Sequence, residues 1–184
     1  MKITFLGTGT SQGIPMIANN DPVCLSNDSK DKRLRSSVMI SWDDTCYVID
    51  CGPDFRQQML RENIQAINGV LFTHEHSDHT AGIDDLRPFT YKMGEVPIYA
   101  QERVIESLKV RFSYIFETEN RYAGAPKLTE NIIDSSSFTL SGVNVTPIAV
   151  MHGKLPIMGY RFGDVAYITD LKTMSDHEKK KLEG

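Results

Sequence analysis

The chain has 184 residues, of which 40% are hydrophobic, and carries a formal net charge of −4. That is enough apolar material for one sizeable core, while the acidic balance argues against a large nucleic-acid footprint, which needs lysine and arginine gathered on one face. No apolar run approaches the roughly 20 residues that cross a bilayer, and Met1 leads straight into a strand-like run, so neither a membrane span nor a signal peptide is expected.

In chain order, apolar and β-branched runs mark strands at Lys2–Leu6, Ser37–Trp42, Cys46–Ile49, Gly69–Thr73, Val96–Ala100, Val143–Val150, Met158–Phe162 and Val165–Thr169. Helical patterning fits Asp54–Glu62, Gln101–Ser113 and Ser175–Leu182, the first opening on an acidic cap and the last on a serine cap. Periodicity alone gives a mixed α/β class with one domain over residues 1–184. The polar stretch Thr118–Pro126 reads as a surface loop able to overhang a site. Gly7-Thr8-Gly9-Thr10-Ser11-Gln12-Gly13 lacks the lysine of a phosphate-binding P-loop and the spacing of a dinucleotide fingerprint. Its expected role is a tight turn that lets backbone approach a metal centre, with Ser11 and the loop amides touching a substrate phosphate as the other reading. Cys24, Cys46 and Cys51 are odd in number and without framework spacing, which fits a reducing compartment, so the cytoplasm is expected and no thiol is given a catalytic role.

The chemistry concentrates in His74-Glu75-His76-Ser77-Asp78-His79, directly after the apolar Val70-Leu71-Phe72. Read as extended backbone, His74 and His76 project to one side and share an ion, whereas Asp78 and His79 lie past the turn and aim at a neighbouring point. Two adjacent ions are therefore expected. Imidazole and carboxylate without nearby thiolate suit zinc, manganese or iron in a catalytic site. Further ligands must come from elsewhere. Of the 5 histidines, His152 ends a strand-like run and is taken as a ligand, the other reading being a capping residue, while His177 sits in a charged helical segment and is read as solvated. Asp170 follows another apolar run; alone it would be a turn residue, but in this company it is read as a carboxylate bridging both ions. Asp50 and Thr73 are read as groups that steer the imidazoles.

The hexapeptide, His152 and Asp170 together resemble the His-x-His-x-Asp-His, His and Asp motifs of the metallo-β-lactamase superfamily. The opening Met1–Pro15, with Arg33-Leu34-Arg35-Ser36-Ser37, Asp50-Cys51-Gly52-Pro53-Asp54-Phe55-Arg56 and Asp84-Asp85-Leu86-Arg87-Pro88-Phe89, resembles its phosphoribosyl 1,2-cyclic phosphate phosphodiesterase branch, with ribonuclease Z more distant. The resemblance implies a four-layer αβ/βα sandwich. The later His usual in the family is not reached before Gly184, so the chain reads as C-terminally incomplete and an exposed sheet edge is expected to favour a homodimer. It also implies a metal-dependent phosphodiesterase with two divalent ions, zinc or manganese with iron as a further option, acting on a small cyclic phosphate or nucleotide-like diester through a metal-bridging hydroxide. The metal ligands would be His74, His76, Asp78, His79, His152 and Asp170, with Asp78 also catalytic and Ser11 and Arg87 binding substrate. The alternatives are ribonuclease Z-like RNA processing, or a catalytically impaired fold that holds one metal. Arg33, Arg35, Arg87 and Arg111 are considered together as a local basic mouth, against the plainer reading of scattered solvated charges.

Overall fold

A computed structural model of the chain describes residues 1–183. Two compact units are present, Met1–Asn131 and Ile132–Gly184. In the first, a six-stranded sheet has the order β1-β2-β3-β4-β5-β6, with β1 at Lys2–Gly7, β2 at Ser37–Trp42, β3 at Thr45–Ile49, β4 at Gly69–Leu71, β5 at Val96–Ala100 and β6 at Leu128–Ile132. The ladder is antiparallel from β1 to β3 and parallel from β3 to β5. Parallel strands are covered on both faces, and β4 accordingly is buried throughout. Helices α1 (Pro22–Leu25), α2 (Phe55–Arg61), α3 (Ser77–Thr80), α4 (Arg87–Met93), α5 (Glu102–Arg111) and α6 (Ser113–Phe116) occupy the connections, with a 3-10 turn at Ile83–Leu86. Phe55, Phe72, Ile83, Leu86, Val104 and Leu108 bring these helices into one core with the sheet, each with no exposed surface.

The glycine-rich opening docks on the segment before β2. Gly9 N donates to Leu34 O at 2.7 Å and Ile14 N to Arg33 O at 2.8 Å, and a Cβ on Gly7 would stand 1.9 Å from Arg35 O. The backbone of this turn thus packs against that of Arg33–Arg35. It also ties up the arginines. Arg33 Nη1 donates to Thr8 Oγ1 at 2.9 Å, and Arg35 pairs with Asp54 at 2.9 Å while its backbone N–H donates to the same carboxylate at 2.8 Å. Asp54 therefore makes no capping bond to α2, and Arg33 and Arg35 fasten loops together in place of forming the basic mouth considered above.

In the second unit, β7 (Phe138–Leu140), β8 (Val143–His152), β9 (Leu155–Phe162) and β10 (Val165–Tyr167) form an antiparallel sheet in the order β10-β9-β8-β7. The β8–β9 hairpin keeps its register to the tip, where His152 pairs with Leu155 and Gly153 takes φ +64. Ile148, Val150 and Ile157 make the core, with Leu155, Ile168 and Met174 against it. Helix α7 (Asp176–Lys180) begins with the expected serine cap, Ser175 Oγ accepting from Glu178 N. The buried Glu178 accepts from Ala149 N at 2.8 Å, which fastens the helix to β8. His177 is exposed, as read from the sequence. No helix among the described residues is long and apolar enough to cross a membrane.

The departures from the sequence reading have local causes. Strand β6 was missed because Leu128-Thr129-Glu130-Asn131-Ile132 has two exposed polar residues at its centre, as an edge strand tolerates. Helix α4 was missed because it starts at Arg87-Pro88, where proline is compatible only with the first turn, and stops after seven residues at Gly94 with φ +92. Strand β4 ends two residues earlier than expected, at Leu71.

The turn after β3 lies so near α3 that Gly52 has no room for a side chain: an added Cβ would be 1.9 Å from Asp78 O. Gly52→Ala must push the backbone of α3 outward, and we expect a loss of about 1–3 kcal/mol. The check is a urea titration showing a lower midpoint at unchanged slope.

Candidate metal centre

Strand β3 pairs with β4 through Ile49 opposite Leu71, so the residues just past the two strands, Asp50 and Phe72-Thr73-His74, leave the sheet side by side. Asp50 N donates to Leu71 O at 2.9 Å and Phe72 N to Tyr99 O at 2.8 Å, which carries the pairing one step beyond the strands. Asp50 then turns the chain with φ +64, a conformation that Asp adopts more readily than most side chains. Its carboxylate is fully buried.

Three donors converge on that carboxylate. Thr73 N reaches Oδ1 at 2.8 Å, while Thr73 Oγ1 reaches Oδ2 at 2.8 Å and His79 Nδ1 reaches it at 2.7 Å. Thr73 Oγ1 also lies 2.9 Å from His74 Nδ1. The hydroxyl has a single proton, and Asp50 takes it, so Thr73 Oγ1 accepts from His74 Nδ1. One carboxylate thus puts the proton of both imidazoles on Nδ1 and leaves the Nε2 lone pairs of His74 and His79 for an electrophile. Asp50 and Thr73 are the steering groups read from the sequence, and the network gives their effect a mechanism.

The rings gather closely. His74 has its centroid 4.6 Å from that of His76 and 4.2 Å from that of His79. His76 keeps the extended backbone expected of it, with φ −59 and ψ 149 at the N-cap position of α3, although strand β4 itself has ended at Leu71. Asp78 Oδ2 is 3.2 Å from His79 Nε2. Two electron-rich atoms at that separation need a proton or a cation between them, and with the proton there the hydrogen bond from His79 holds the Asp78 carboxyl at about 2, against the opposing effect of its partial burial. Imidazole Nε2 atoms with carboxylate oxygen form a donor set suited to a borderline divalent cation, so the residues present in this unit fit the metal that the sequence implied.

The loop is held from behind by α5. Arg103 pairs with Glu75, between the two leading histidines, and Arg111 Nη2 donates to Thr80 Oγ1 at 2.9 Å, whose hydroxyl in turn donates to His76 O at 2.8 Å. Arg111 is therefore a tether of the ligand loop, and Arg103, which the sequence reading overlooked, is its counterpart. Arg87 is engaged by Asp84, both carboxylate oxygens accepting from Nη2 at 2.7 Å. Ser11 is exposed at the tip of the opening turn, and its carbonyl accepts from Arg35 Nε at 2.9 Å. The thiols stay out of the chemistry: burial pushes Cys51 well up, with Asp50 adding to it, and burial alone pushes Cys46 up to about 11.

In the second unit, His152 is the last residue of β8 and Asp170 follows β10 with φ +52. Met151 N donates to Thr173 O at 2.9 Å and Lys172 N to Met151 O at 2.8 Å, so the segment carrying Asp170 returns to the end of β8 that carries His152. Both residues stand at one end of the second sheet.

A family model described as a beta-lactamase superfamily domain matches residues 45–184. Among solved structures, a diphosphatase of the PhnP family is 39% identical with a TM-score of 0.90, covering 99% of this chain and 70% of that one. Zinc-bound PqqB from Methylobacterium extorquens has a TM-score of 0.73 at 20% identity, covering 98% and 69%, and shares the fold. Among curated proteins, an octanoyltransferase of Porphyromonas gingivalis is 41% identical over 187 residues, which is 100% of this chain and 37% of that protein. A ribonuclease Z of Methanococcus maripaludis is 26% identical over 174 residues, 90% of this chain and 48% of that protein. The chain thus spans less than half the length of these two curated relatives.

Asp50→Asn tests the proton assignment. The amide oxygen must face Thr73 N, which only donates, so the amide nitrogen falls beside His79 Nδ1 and forces its proton onto Nε2. We expect zinc affinity to fall about 10–100-fold with the fold retained, whereas Asp50→Ala also strands buried donors at a cost of about 1–3 kcal/mol each. Zinc titration alongside urea unfolding separates the two variants.

Proposed function

The chain belongs to the beta-lactamase superfamily and has its fold; from that premise we propose that it is a metal-dependent phosphodiesterase acting on a small cyclic phosphate or nucleotide-like diester. The observation that carries this reading is the Asp50 network, which spends a fully buried carboxylate on presenting two imidazole lone pairs. A purely structural cluster has no need of that tautomer. The similarity to a PhnP-family diphosphatase at 39% identity supports phosphorus–oxygen bonds as the target.

In this reading His74, His76, Asp78 and His79 would hold divalent cations, and His152 and Asp170 are the further ligands that the sequence resemblance implies. Zinc or manganese suits the set. Such cations supply Lewis acidity toward a phosphoryl oxygen and acidify their water. The protein's own part is positional. Asp50 and Thr73 fix the ring orientation of His74 and His79, and the Arg103 and Arg111 tethers keep the loop from relaxing when charge changes in the site. Asp78, whose carboxylate is only partly buried, would accept the proton of the attacking water and orient it for in-line displacement. Ser11 offers a hydroxyl to the substrate.

The octanoyltransferase likeness covers a minority of that protein, and nothing around His74–His79 resembles an acyl-transfer nucleophile with its base. Ribonuclease Z-like processing is the second reading among hydrolases, and the net charge of −4 weighs against it.

Purified protein loaded with zinc or manganese should hydrolyse bis(p-nitrophenyl) phosphate and ribose 1,2-cyclic phosphate and should lose both activities on chelation. Asp78→Ala should lower kcat by about 10²–10⁴-fold, and His76→Ala should lose one metal equivalent as well. Retained turnover in chelated, metal-free protein, or one metal per wild-type chain with no turnover, overturns the proposal. The latter result would identify the impaired metal-binding form.

A further inference from the structure

Helix α4 carries an aromatic and cationic surface that the proposed chemistry leaves unused. Arg87 and Tyr91 are four residues apart and share one face of the helix. Tyr91 is 67% exposed and Tyr122, in the loop after α6, is 61% exposed, so neither ring is core. They are nevertheless fixed. Tyr91 Oη donates to Gly124 O at 3.4 Å, and Gly124 lies so close to the Tyr122 ring that a Cβ there would be 2.6 Å from it. The Arg87 guanidinium stands 6.0 Å over the Tyr122 centroid. Asp84 holds that guanidinium in place and in turn accepts from Tyr114 Oη at 2.7 Å.

Held by Asp84, Arg87 has its charge balanced and is a poor phosphate ligand by itself. What it offers is a flat, weakly hydrated face beside two exposed rings. Such surfaces bind planar aromatic groups, because every base has a π-face to stack. Arg87 follows His79 by eight residues of mostly helical chain, a path on the order of 12 Å at helical rise, which a base attached through ribose to a phosphate at the loop can span. We propose that Tyr122, Tyr91 and Arg87 form a base-binding platform, and that the substrate is a nucleoside phosphodiester in preference to a sugar phosphate without a base. The inference rests on the phosphodiesterase reading for its substrate class, but the platform itself binds a base whether or not turnover occurs.

The experiment compares kcat/KM for 2′,3′-cyclic AMP with that for ribose 1,2-cyclic phosphate, in wild type, Tyr122→Ala and Tyr122→Phe. Tyr122→Ala should lower the ratio of the two values about tenfold, mainly through KM for the nucleotide, and Tyr122→Phe should restore it, since the ring and not the hydroxyl does the stacking. A ratio unmoved by Tyr122→Ala, or an equal loss on both esters, overturns the platform. Calorimetry with AMP and metal-loaded protein gives the second arm: binding should weaken about tenfold in Tyr122→Ala. If wild type cleaves neither ester, the phosphodiesterase reading fails and AMP binding alone decides; no binding of AMP to wild type then overturns the platform too.

Discussion

A single buried carboxylate organises the metal loop. Burying a charge without partners is prohibitive, and Asp50 is acceptable in the interior only because three donors surround it: a backbone N–H, a hydroxyl and an imidazole. The same bonds that keep Asp50 from being a liability also remove every freedom from Thr73 and His79. The hydroxyl has one orientation, and that orientation extends to His74. The chain needs no separate device to align each ring, because satisfying Asp50 and presenting the lone pairs are the same event.

That arrangement depends on the sheet. Parallel pairing of β3 with β4 puts Asp50 and Thr73 at neighbouring strand ends, and the left-handed backbone of Asp50 turns the chain so that Gly52 packs against the histidine loop. Close backbone contacts then set the depth of the loop: Gly52 lies against Asp78 O, and Gly82, whose Cβ would fall 2.2 Å from Gly52 O, lies against the same turn. Two glycines let two turns touch. With α5 gripping Glu75 and Thr80 on the outer side, the loop is fixed from both faces by elements that themselves belong to the core.

The histidine cluster was easier to read from the sequence than the backbone that carries it. Three histidines and an aspartate within six residues are legible without a structure because few roles other than metal binding use that composition, and Asp50 and Thr73 could be read as their supports from their places at strand ends. The end of the strand was not legible: β4 stops at Leu71, although His76 keeps an extended backbone, and a turn held by Thr80, Gly82 and distant arginines has no period to read. Arg35 and Arg87 looked like free cations for the same reason. Their partners, Asp54 nineteen residues away and Asp84 three residues away, are visible as letters, but only packing says which acid an arginine meets. Edge strand β6 and the proline-initiated α4 lacked the alternation and caps on which sequence reading depends.

The charge pattern at the centre fits a division of labour between protein and cation. Arg35, Arg87 and Arg103 are each paired with a carboxylate, while Asp50 and Asp78 stand among the histidines. Arg111, bonded to the hydroxyls of Ser77 and Thr80, is the cation beside the loop that forms no ion pair with a carboxylate among the described residues, and the acidic groups beside the histidines favour a cation there. Bound divalent ions are the largest charges in such a site and reverse its polarity. In the proposed reading a chain of net charge −4 needs no basic patch to recruit a phosphate, because the affinity for phosphate arrives with the metal. The side chains that remain free to distinguish one ester from another are then the uncharged or balanced ones, and the exposed rings on and beside α4 are of that kind.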